Sequence, residues 1–497
     1  MTEHVDVLIV GAGLSGIGTA YYLQTRCPKK RYAILEGRDT IGGTWDLFRY
    51  PGVRSDSDMY TLGYSFRPWH DPKAIADGPS ILAYIKETAQ VYGIDRHIRF
   101  NHRVRRAEWS SAEARWTVEV ERGPDRELVR LTCSFLYMCS GYYDYDHGYT
   151  PEWPGIEQFA GQIVHPQHWP PDLDYTAKRV IVIGSGATAV TLAPALAKQA
   201  AHVTLLQRSP TYVVTQPAED AIANRLRRHL PPGLAYSLIR WKNVLISMAY
   251  YNLMRWQPTR MKQNLINLVR AQLGPAYDVD THFTPRYNPW DQRLCLVPDG
   301  DLFAAIKAGT VSMVTDHIDT FTPTGIRLCS GAELDADIIV TATGLVMKLM
   351  GGMQLAVDGR PIDPAQTMSY KGLMFSDIPN LAAAIGYTNA SWTLKCELVS
   401  RYVCRLLKYM DQWGYGQCTP RQTDPTIAAE PILSFTSGYV QRALSSLPSQ
   451  GSKRPWKLYQ NYLLDLLTFR YGKVDDGTLE FMRRRRARRA ATQRGSR

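Results

Sequence analysis

Short apolar runs recur in two parts of the chain and alternate with more polar stretches. Val5–Val10 and Tyr32–Leu35 form a first pair, and Arg179–Ile183 and Val203–Leu206 form a second. Their nearly continuous Val, Ile and Leu content is typical of strands buried on both faces of a parallel sheet. Residues 219–280 break this rhythm, because Arg, Trp and Leu are interleaved there. The pattern therefore predicts two α/β units, with a helical insertion in the second.

The first pair of strands frames a glycine turn. Its first strand runs into a G-x-G-x-x-G pattern formed by Gly11, Gly13 and Gly16, and its second strand ends in Glu36. In a dinucleotide-binding (Rossmann-like) fold, these glycines make the turn, admit the pyrophosphate to the helix and let the helix pack on the strand. A carboxylate at Glu36 accepts hydrogen bonds from a ribose diol and repels a 2′-phosphate. This site is predicted to bind FAD or NAD rather than NADP.

The second pair of strands frames a similar turn with a different ending. Gly184 and Gly186 are followed by Ala189 at the third small position, and the next strand leads to Arg208 and Ser209 instead of an acid. An arginine at this place can form a charge-assisted pair with a 2′-phosphate. The second site is therefore predicted to bind NADPH. A surface arginine beside an NADH site is the alternative.

The order of these signals also predicts the domain organisation. A chain of 497 residues is too long for one ordinary core and indicates two or three domains. Leu136–Gly141 predicts a strand that leaves the first domain, and Asp337–Gly344 predicts one that returns to it. The fold class is predicted to be α/β, with two dinucleotide-binding domains. The predicted segments are 1–145 and 346–482 for the FAD-binding domain, 146–178 for a linker, 179–345 for the NADPH-binding domain and 483–497 for a tail.

An unusual stretch connects the two glycine turns. Phe159, Gly161, His165 and Trp169 occur in it with the spacing F-x-G-x-x-x-H-x-x-x-W-[PD], and we call these four residues the fingerprint. Gly161 gives the backbone freedom and the neighbouring prolines stiffen it, which alone indicates only a plain interdomain linker. A segment between two nucleotide sites can also relay movement from one to the other.

A second motif follows the first glycine turn. Gly43, Thr44, Trp45 and Asp56 fit the spacing [AG]-G-x-W-x-x-x-x-[FY]-P-[GM]-x-x-x-D. Disulfide reductases of similar architecture carry a redox cysteine after a comparable Gly-Gly, whereas Trp45 stands here, so disulfide chemistry is not expected. Taken singly, Trp45 is explained as a core aromatic residue and Asp56 as a loop cap.

Both spacings match motifs of the Baeyer–Villiger monooxygenases, and the chain from Thr2 to about Lys473 resembles this class B flavoprotein family. Trp169 distinguishes it from the sister flavin-containing monooxygenases, which usually carry Tyr or Phe there. The resemblance implies FAD in the first site, NADPH in the second and O₂ as co-substrate. It also implies that oxygen activated on the reduced flavin converts ketones to esters or lactones. Oxidation of sulfides or thioamides is expected as a second activity.

The resemblance assigns roles to further residues. It implies that Asp56 lies near the flavin ring and orients Arg293, and that Arg293 stabilises negative charge during oxygen transfer; a structural ion pair is the alternative for Arg293. Relatives often carry Lys where this chain has Gln292, so the strength of the NADPH preference stays open. Trp392 is expected to line the substrate or nicotinamide pocket, with a buried structural role as the alternative.

Two other functions remain open at this level. A flavin-containing N- or S-oxygenase uses the same folds and requires neither Asp56 nor Arg293. A non-oxygenating NADPH oxidase or redox-sensing binding protein would release peroxide and give no oxygenated organic product. The sequence specifies neither the ketone nor the oligomeric state.

The charge distribution bears on partners. The formal net charge is +12, but residues 483–497 hold eight arginines and no acid, which leaves +4 for the rest. Such a run is typical of a solvated tail, with nucleic-acid or anionic-lipid contact as the lesser alternative, so no nucleic-acid partner is predicted. Leu458, Tyr462, Leu466 and Phe469 recur at helical spacing before the tail. They indicate either core packing or weak peripheral attachment to a membrane.

The cysteines and the apolar segments bear on the compartment. The eight cysteines include no C-x-x-C pair and no zinc-like cluster, so no metal site is expected and reduced thiols in the cytoplasm are the simplest account. No signal peptide is recognisable at the beginning of the chain. The apolar region Leu234–Trp256 contains Arg240 and Lys242, and it falls short of the roughly 20 uninterrupted apolar residues of a membrane span.

Overall fold

The computed structural model describes residues 2–483, which contain strands at all four segments predicted around the two glycine turns. The elements of the first 145 residues are β1 (Glu3–Val10), α1 (Leu14–Arg26), β2 (Tyr32–Leu35), α2 (Thr44–Leu47), α3 (Met59–Leu62), α4 (Gly78–Val91), β3 (Ile98–Arg99), β4 (His102–Ser110), β5 (Arg115–Arg122) and β6 (Glu127–Met138). The middle of the chain forms β7 (Gln162–Val164), β8 (Arg179–Ile183), α5 (Ala187–Leu196), β9 (His202–Gln207), β10 (Val213–Gln216), α6 (Ala221–His229), α7 (Pro232–Trp256), α8 (Pro258–Leu273), α9 (Val279–Phe283), β11 (Cys295–Pro298), α10 (Asp301–Lys307), β12 (Val311–Thr315), β13 (Ile318–Thr322), β14 (Gly325–Leu328), β15 (Glu333–Asp335) and β16 (Ile338–Thr341). The last part forms β17 (Gln354–Val357), β18 (Arg360–Ile362), β19 (Ser369–Tyr370), β20 (Met374–Phe375), β21 (Leu381–Ala383), α11 (Trp392–Trp413), β22 (Tyr415–Pro420), β23 (Ala429–Pro431), α12 (Gly438–Ala443), β24 (Ser449–Gly451), α13 (Tyr462–Tyr471) and β25 (Leu479–Arg483).

The first large sheet contains both strands predicted around the first glycine turn. Its order is β18-β17-β4-β5-β6-β1-β2-β3, and β21 also pairs with β6. Strand β1 lies parallel to β2 and to β6, so Val7 is opposite Tyr32 on one side and Phe135 on the other. All three residues are buried, as expected for strands covered on both faces. The chain returns to this sheet through β17 and β21 after the second unit.

The second large sheet is parallel throughout and has the order β12-β9-β8-β16-β7. Strands β8 and β9 are the predicted pair around the second glycine turn. Strand β7 comes from the segment predicted to be a linker, and its Gln162 is opposite Ile338 of β16. Part of that segment is therefore an edge strand of the second sheet, because its backbone groups pair with β16.

Four helices, α6 to α9, occupy the region predicted to be a helical insertion. Their packing differs from the expected attachment to the second domain alone. Ala235 and Ile239 of α7 belong to the apolar core of the first sheet, whereas Ile266 of α8 and Phe283 of α9 belong to that of the second sheet. The insertion thus contacts both units, and its own sequence pattern gave no indication of this division.

A buried polar cluster fixes α7 against the first unit. Arg240 donates hydrogen bonds to the carbonyl oxygens of Tyr60 at 2.7 Å and Gly63 at 2.8 Å. Its guanidinium also forms an ion pair of 2.8 Å with Glu397 of α11. The second oxygen of Glu397 accepts a hydrogen bond from the Tyr22 hydroxyl at 3.0 Å. Because both charged groups are buried and have several partners, they hold α7 in one orientation.

The helical stripe before the tail packs inward. Phe469 is buried in the first core, and Tyr462 and Leu466 pack against that core, which confirms the core-packing interpretation for them. Leu458 packs in a smaller apolar cluster. Arg483 ends β25, and the rest of the predicted tail, 484–497, lies outside the described residues. Within residues 2–483, no helix is long and apolar enough to cross a membrane.

Candidate active site

A cleft of about 1180 Å³ is lined by residues of both glycine turns. Gly11 and Gly13 line it from the first turn, and Gly184 and Gly186 line it from the second. The other predicted residues that line the cleft are Glu36, Gly43, Thr44, Trp45, Asp56, Arg208, Ser209, Gln292, Arg293 and Trp392. The fold therefore brings together residues from both nucleotide signatures and from the second motif.

The first turn presents a helix N-terminus to the cleft. Gly11 has a φ of +106°, and a Cβ there would lie 2.5 Å from the carbonyl oxygen of Cys139, so only glycine fits the turn. Helix α1 begins immediately after Gly13, and no side chain caps it. Its first N–H groups are therefore available to an anion such as a pyrophosphate. Gly16 lies beneath the turn and does not line the cleft, because it packs against the backbone of Gly11.

Glu36 lies at the end of β2, as predicted. Its Oε2 accepts a hydrogen bond from the Ala12 N–H at 2.7 Å, and its Oε1 accepts one from the Arg38 N–H at 3.0 Å. Burial raises the pKa of Glu36, and the two N–H donors partly offset this rise. Each oxygen keeps a further lone pair, so the carboxylate can still accept hydrogen bonds from a ribose.

The second turn repeats this geometry. Gly184 has a φ of +141°, and a Cβ there would lie 2.3 Å from the carbonyl oxygen of Ala342. Helix α5 begins after Gly186 without a side-chain cap, and Ala189 is buried behind the turn. The exposed Arg208 lines the cleft and forms no hydrogen bond or ion pair with any other described residue. Its charge is thus free to meet a phosphate.

Asp56 and Arg293 face the same cleft. Both side chains are accessible from the cleft, but they lie deep between its walls, which keep much of the bulk water away from them. Burial raises the pKa of Asp56, and the charges of Arg293 and Arg54 partly offset this rise. Burial by itself lowers the pKa of Arg293, but its interactions with Tyr142, Tyr439 and Asp56 raise it above the usual value. Arg293 is therefore a permanent cation in the cleft.

The expected orientation of Arg293 by Asp56 does not occur through direct contact. Across the described part of the chain, neither side chain forms a hydrogen bond or an ion pair with a protein group, and the two interact only through their charges. Arg54 instead pairs with Asp301 at 2.5 Å. The alternative of a structural ion pair for Arg293 is not supported, because no carboxylate of residues 2–483 pairs with its guanidinium. Gln292 contacts Thr436, with 3.4 Å between amide nitrogen and hydroxyl oxygen.

Trp392 combines both roles that the sequence left open. Its ring packs against the first core and lines the cleft. Its Nε1 donates a hydrogen bond of 2.9 Å to the Ser15 hydroxyl at the beginning of α1. Trp45 likewise lines the cleft and packs against that core. Both residues therefore support the fold and also remain accessible to a ligand in the cleft.

Three tyrosines of the site were missed by sequence reasoning. Tyr142 and Tyr143 line the cleft with their hydroxyl oxygens 2.9 Å apart, and Tyr439 lines it from α12. The ring centroid of Tyr142 is 5.2 Å from that of Trp392. The first two directly follow Gly141, where the predicted strand leaves the first domain, and that position was the available signal. Tyr439 had no comparable signal.

A smaller cavity of about 100 Å³ adjoins the cleft. Arg293, Tyr142, Trp392 and Tyr439 line both spaces. The apolar side chains that line the smaller cavity include Leu349, Ile385, Leu433, Phe435, Val440 and Leu447. Arg293 therefore lies at the boundary between the cleft and an apolar pocket.

The fingerprint residues do not line the cleft described here. Phe159 is buried in the core beneath the second sheet, and Trp169 packs against the neighbouring core. A Cβ at Gly161 would lie 2.4 Å from the carbonyl oxygen of Asp337, which explains the glycine by close packing. His165 caps a short turn, because its Nδ1 accepts a hydrogen bond of 3.2 Å from the Gln167 N–H. All four residues are thus explained by packing or capping within the second unit.

One chain of contacts connects the fingerprint segment to the cleft. Gln167 donates a hydrogen bond of 2.7 Å to the carbonyl oxygen of Asp144. The carboxylate of Asp144 pairs with Lys348 at 2.9 Å, and both of these residues line the cleft. A displacement of the fingerprint segment would thus reach the cleft through Asp144. Among residues 2–483, no cluster of side chains is suited to hold a metal ion.

Solved structures define the class of fold. A steroid monooxygenase, described as oxidised and bound to NADP, superposes with a TM-score of 0.75 at 24% identity and covers 96% of this chain and 99% of its own. The structure of OTEMO in complex with FAD and NADP superposes with a TM-score of 0.74 at 20% identity, covering 97% of this chain and 100% of its own. The predicted fold, α/β with two dinucleotide-binding domains, is confirmed.

Sequence relatives define the family. FAD-containing monooxygenase EthA of Mycobacterium tuberculosis (strain H37Rv) is 59% identical over 485 residues, which cover 97% of this chain and 99% of that protein. Probable FAD-binding monooxygenase AlmA of Acinetobacter baylyi is 47% identical over 483 residues, covering 97% of each. The pattern of the flavin-binding monooxygenase-like family matches residues 6–411. The chain belongs to this family, and the predicted class, a flavoprotein monooxygenase, is confirmed.

Proposed function

We propose that this protein uses NADPH and O₂ to convert ketones to esters or lactones, as a Baeyer–Villiger monooxygenase with bound FAD. Sulfides and thioamides are further substrates in this proposal. The observation that carries it is Arg293, a cation without a carboxylate partner in the cleft between two dinucleotide turns. Solved relatives that hold FAD and NADP, and curated relatives named as FAD-containing monooxygenases, support the choice of cofactors.

The residues present fit the two cofactors. FAD would be held by the first turn. The uncapped N–H groups at the start of α1 would donate hydrogen bonds to the pyrophosphate, and Glu36 would accept hydrogen bonds from the ribose hydroxyls. NADPH would be held by the second turn. The uncapped N–H groups at the start of α5 would bind its pyrophosphate, and the guanidinium of Arg208 would bind its 2′-phosphate. Both turns line one cleft of about 1180 Å³, so the two cofactors would lie in the same space.

Arg293 supplies the positive charge that the reaction needs. FAD reduced by NADPH supplies the activation of O₂, which no side chain can provide. Addition of an activated oxygen to a ketone places negative charge on the former carbonyl oxygen. A guanidinium beside that oxygen stabilises the charge, and comparable donors change rates by about 10²–10³. Because the Arg293 side chain donates to no acceptor in the described part of the chain, its N–H groups are available for this purpose.

Asp56 acts on the same site through its charge and its proton. Its raised pKa allows it to hold a proton at a higher pH than an ordinary aspartate. When ionised, it lowers the positive potential around Arg293; when protonated, it leaves that potential at full strength. We therefore assign Asp56 a role in tuning the positive potential at Arg293, in place of the expected direct contact.

The apolar pocket beside Arg293 suits the organic part of a ketone. Its aromatic and aliphatic lining would exclude water from the reacting carbonyl, and exclusion of water strengthens the interaction with the guanidinium. Arg293 and Tyr142 at the boundary provide the polar groups that a carbonyl oxygen can meet. The same pocket can also hold a sulfide. Oxygen transfer to sulfur forms no anionic addition intermediate, so it depends less on a nearby cation.

The test compares esters and sulfoxides formed by one enzyme. The flavin-loaded protein is incubated with NADPH, O₂ and either ketones or a sulfide, and products are measured by mass spectrometry. We expect Arg293→Ala to bind both cofactors and to lose ester formation by about 10²–10³, with a smaller loss of sulfoxide. Arg293→Lys, which keeps a cation, is the matched control and should lose less ester.

The ratio of the two products decides between the functions. An unchanged ratio with normal ester yield in Arg293→Ala would remove Arg293 from the mechanism and favour an N- or S-oxygenase. Peroxide release without any oxygenated product from the parent enzyme would favour the NADPH oxidase.

A further inference from the structure

The outward side of the first half of α7 is apolar. Four exposed apolar residues follow one another there at steps of three or four, and Trp256 lies three turns further on. We call these five residues the α7 face, and they are Leu234, Leu238, Trp241, Leu245 and Trp256, which are 40 to 76% exposed. Single exposed apolar residues are ordinary, but four of them on successive turns of one helix indicate a surface that meets an apolar phase.

The opposite side of α7 is already buried, so the helix cannot turn to hide its apolar face. Ala235 and Ile239 lie in the first core, and Val244 lies in a smaller cluster. Arg240 is held by backbone carbonyls and by the ion pair with Glu397. Rotation of the helix would break this buried pair, so the exposure of the outer face is a fixed feature of the fold.

Helix α13 extends the apolar surface. Its inward side is occupied by the residues described above, whereas Leu463, Leu467 and Tyr471 are 37, 57 and 67% exposed. The rings of Trp241 and of Tyr462, the first residue of α13, have centroids 5.9 Å apart. The two helices therefore present adjoining apolar faces.

Positive charge flanks this surface. Helix α7 contains no acidic residue. Arg225 and Arg228 of the preceding helix are exposed and form no ion pair with a described residue. Strand β25 ends at Arg483, and the 14 following residues include seven arginines and no acid.

We propose that the α7 face and the outer side of α13 dock on an anionic lipid bilayer. Leu and Trp on the apolar side with Arg beside it are the composition of a helix that lies in a bilayer interface. A second copy of the chain fits less well, because a two-fold contact through this face would bring the basic flanks of both copies together. The proposal concerns location and does not depend on the reaction.

The test measures co-sedimentation of the flavin-loaded full-length protein with lipid vesicles. Vesicles of phosphatidylcholine alone are compared with vesicles that also contain phosphatidylserine, at low and high salt. We expect the parent to bind the anionic vesicles more strongly, and the double variant Leu238→Glu with Leu245→Glu to bind at least about tenfold more weakly. Both leucines are about half exposed, so the protein should unfold at the parent's temperature and keep its NADPH oxidation.

The matched control places the same charges elsewhere. Val91 and Leu128 are 67 and 59% exposed outside this surface, and Val91→Glu with Leu128→Glu should bind vesicles as the parent does. Equal binding by the α7 double variant and the parent would overturn the proposal. So would loss of binding on deletion of 484–497 while the α7 variant binds normally. A dimer in sedimentation velocity that the α7 variant dissociates, without vesicle binding by the parent, would assign the face to a second copy.

Discussion

Replacement of Gly13 by alanine should remove the flavin and leave the protein folded. The backbone angles of Gly13 are φ −81° and ψ −171°, which alanine adopts without strain. A Cβ at this position would lie 3.5 Å from the Cα of Gly43, an ordinary van der Waals distance. Gly13 lines the cleft at the start of α1, so the added methyl group would occupy space that a pyrophosphate needs.

The two effects differ in size. Exchange of glycine for alanine at the N-cap position costs the apoprotein at most about 1 kcal/mol. Displacement of the pyrophosphate loses charge-assisted hydrogen bonds of about 1.5–3 kcal/mol each. Loss of two of them lowers flavin affinity by about 10²–10⁴. Gly16→Ala should behave differently, because its Cβ would lie 1.9 Å from the carbonyl oxygen of Gly11 and the turn itself would have to move.

The assay measures flavin absorbance per protein after gel filtration, together with thermal unfolding of the flavin-free forms. Gly13→Ala should be colourless and unfold within a few degrees of the flavin-free parent. Gly186→Ala is the matched control from the second turn, where a Cβ has no neighbour within 4 Å. It should keep its flavin and lose affinity for NADPH. Stoichiometric flavin in a folded Gly13→Ala protein would refute the assignment of FAD to the first turn. Loss of flavin from Gly186→Ala would instead assign FAD to the second turn.

Three further predictions concern specificity and stability. Arg208→Ala should lower kcat/KM for NADPH by a factor that corresponds to about 1.5–3 kcal/mol of lost binding, and it should leave kcat/KM for NADH nearly unaffected. Gln292→Lys should shift the preference toward NADPH. Equal losses for both cofactors in steady-state kinetics would make Arg208 structural. Burial lowers the pKa of His165 in the folded state, so the unfolded state binds more protons below about pH 6.5. The free energy of unfolding should therefore decrease as the pH falls below that value. Denaturant unfolding should show a smaller fall in His165→Asn, and an identical fall would contradict this assignment. Glu397→Gln should lower the free energy of unfolding by about 3–5 kcal/mol, because it leaves Arg240 buried without its counter-charge; a loss below 1 kcal/mol, the value for an exposed pair, would show that the cluster does not fix α7.

The nucleotide-binding parts of the molecule could be predicted from the sequence because their signals are local. A strand, a glycine turn and a helix start lie within about twenty residues, and backbone sterics decide where glycine is needed. Gly11 and Gly184 occupy the predicted turns with positive φ, and Glu36 and Arg208 follow the predicted strands. The chemical difference between an acid and an arginine at those strand ends was likewise visible in the sequence alone.

The tertiary structure decided what depends on contacts between distant segments. Asp56 and Arg293 share a cleft without touching, and Tyr439 joins them from a helix near the end of the chain. The segment expected to be a linker contributes β7, because β16 offers it a free sheet edge. Helix α7 has apolar residues on both sides, so its periodicity could not show which side is buried. Packing against the first core and the buried Arg240 settled that choice and left the other face outside.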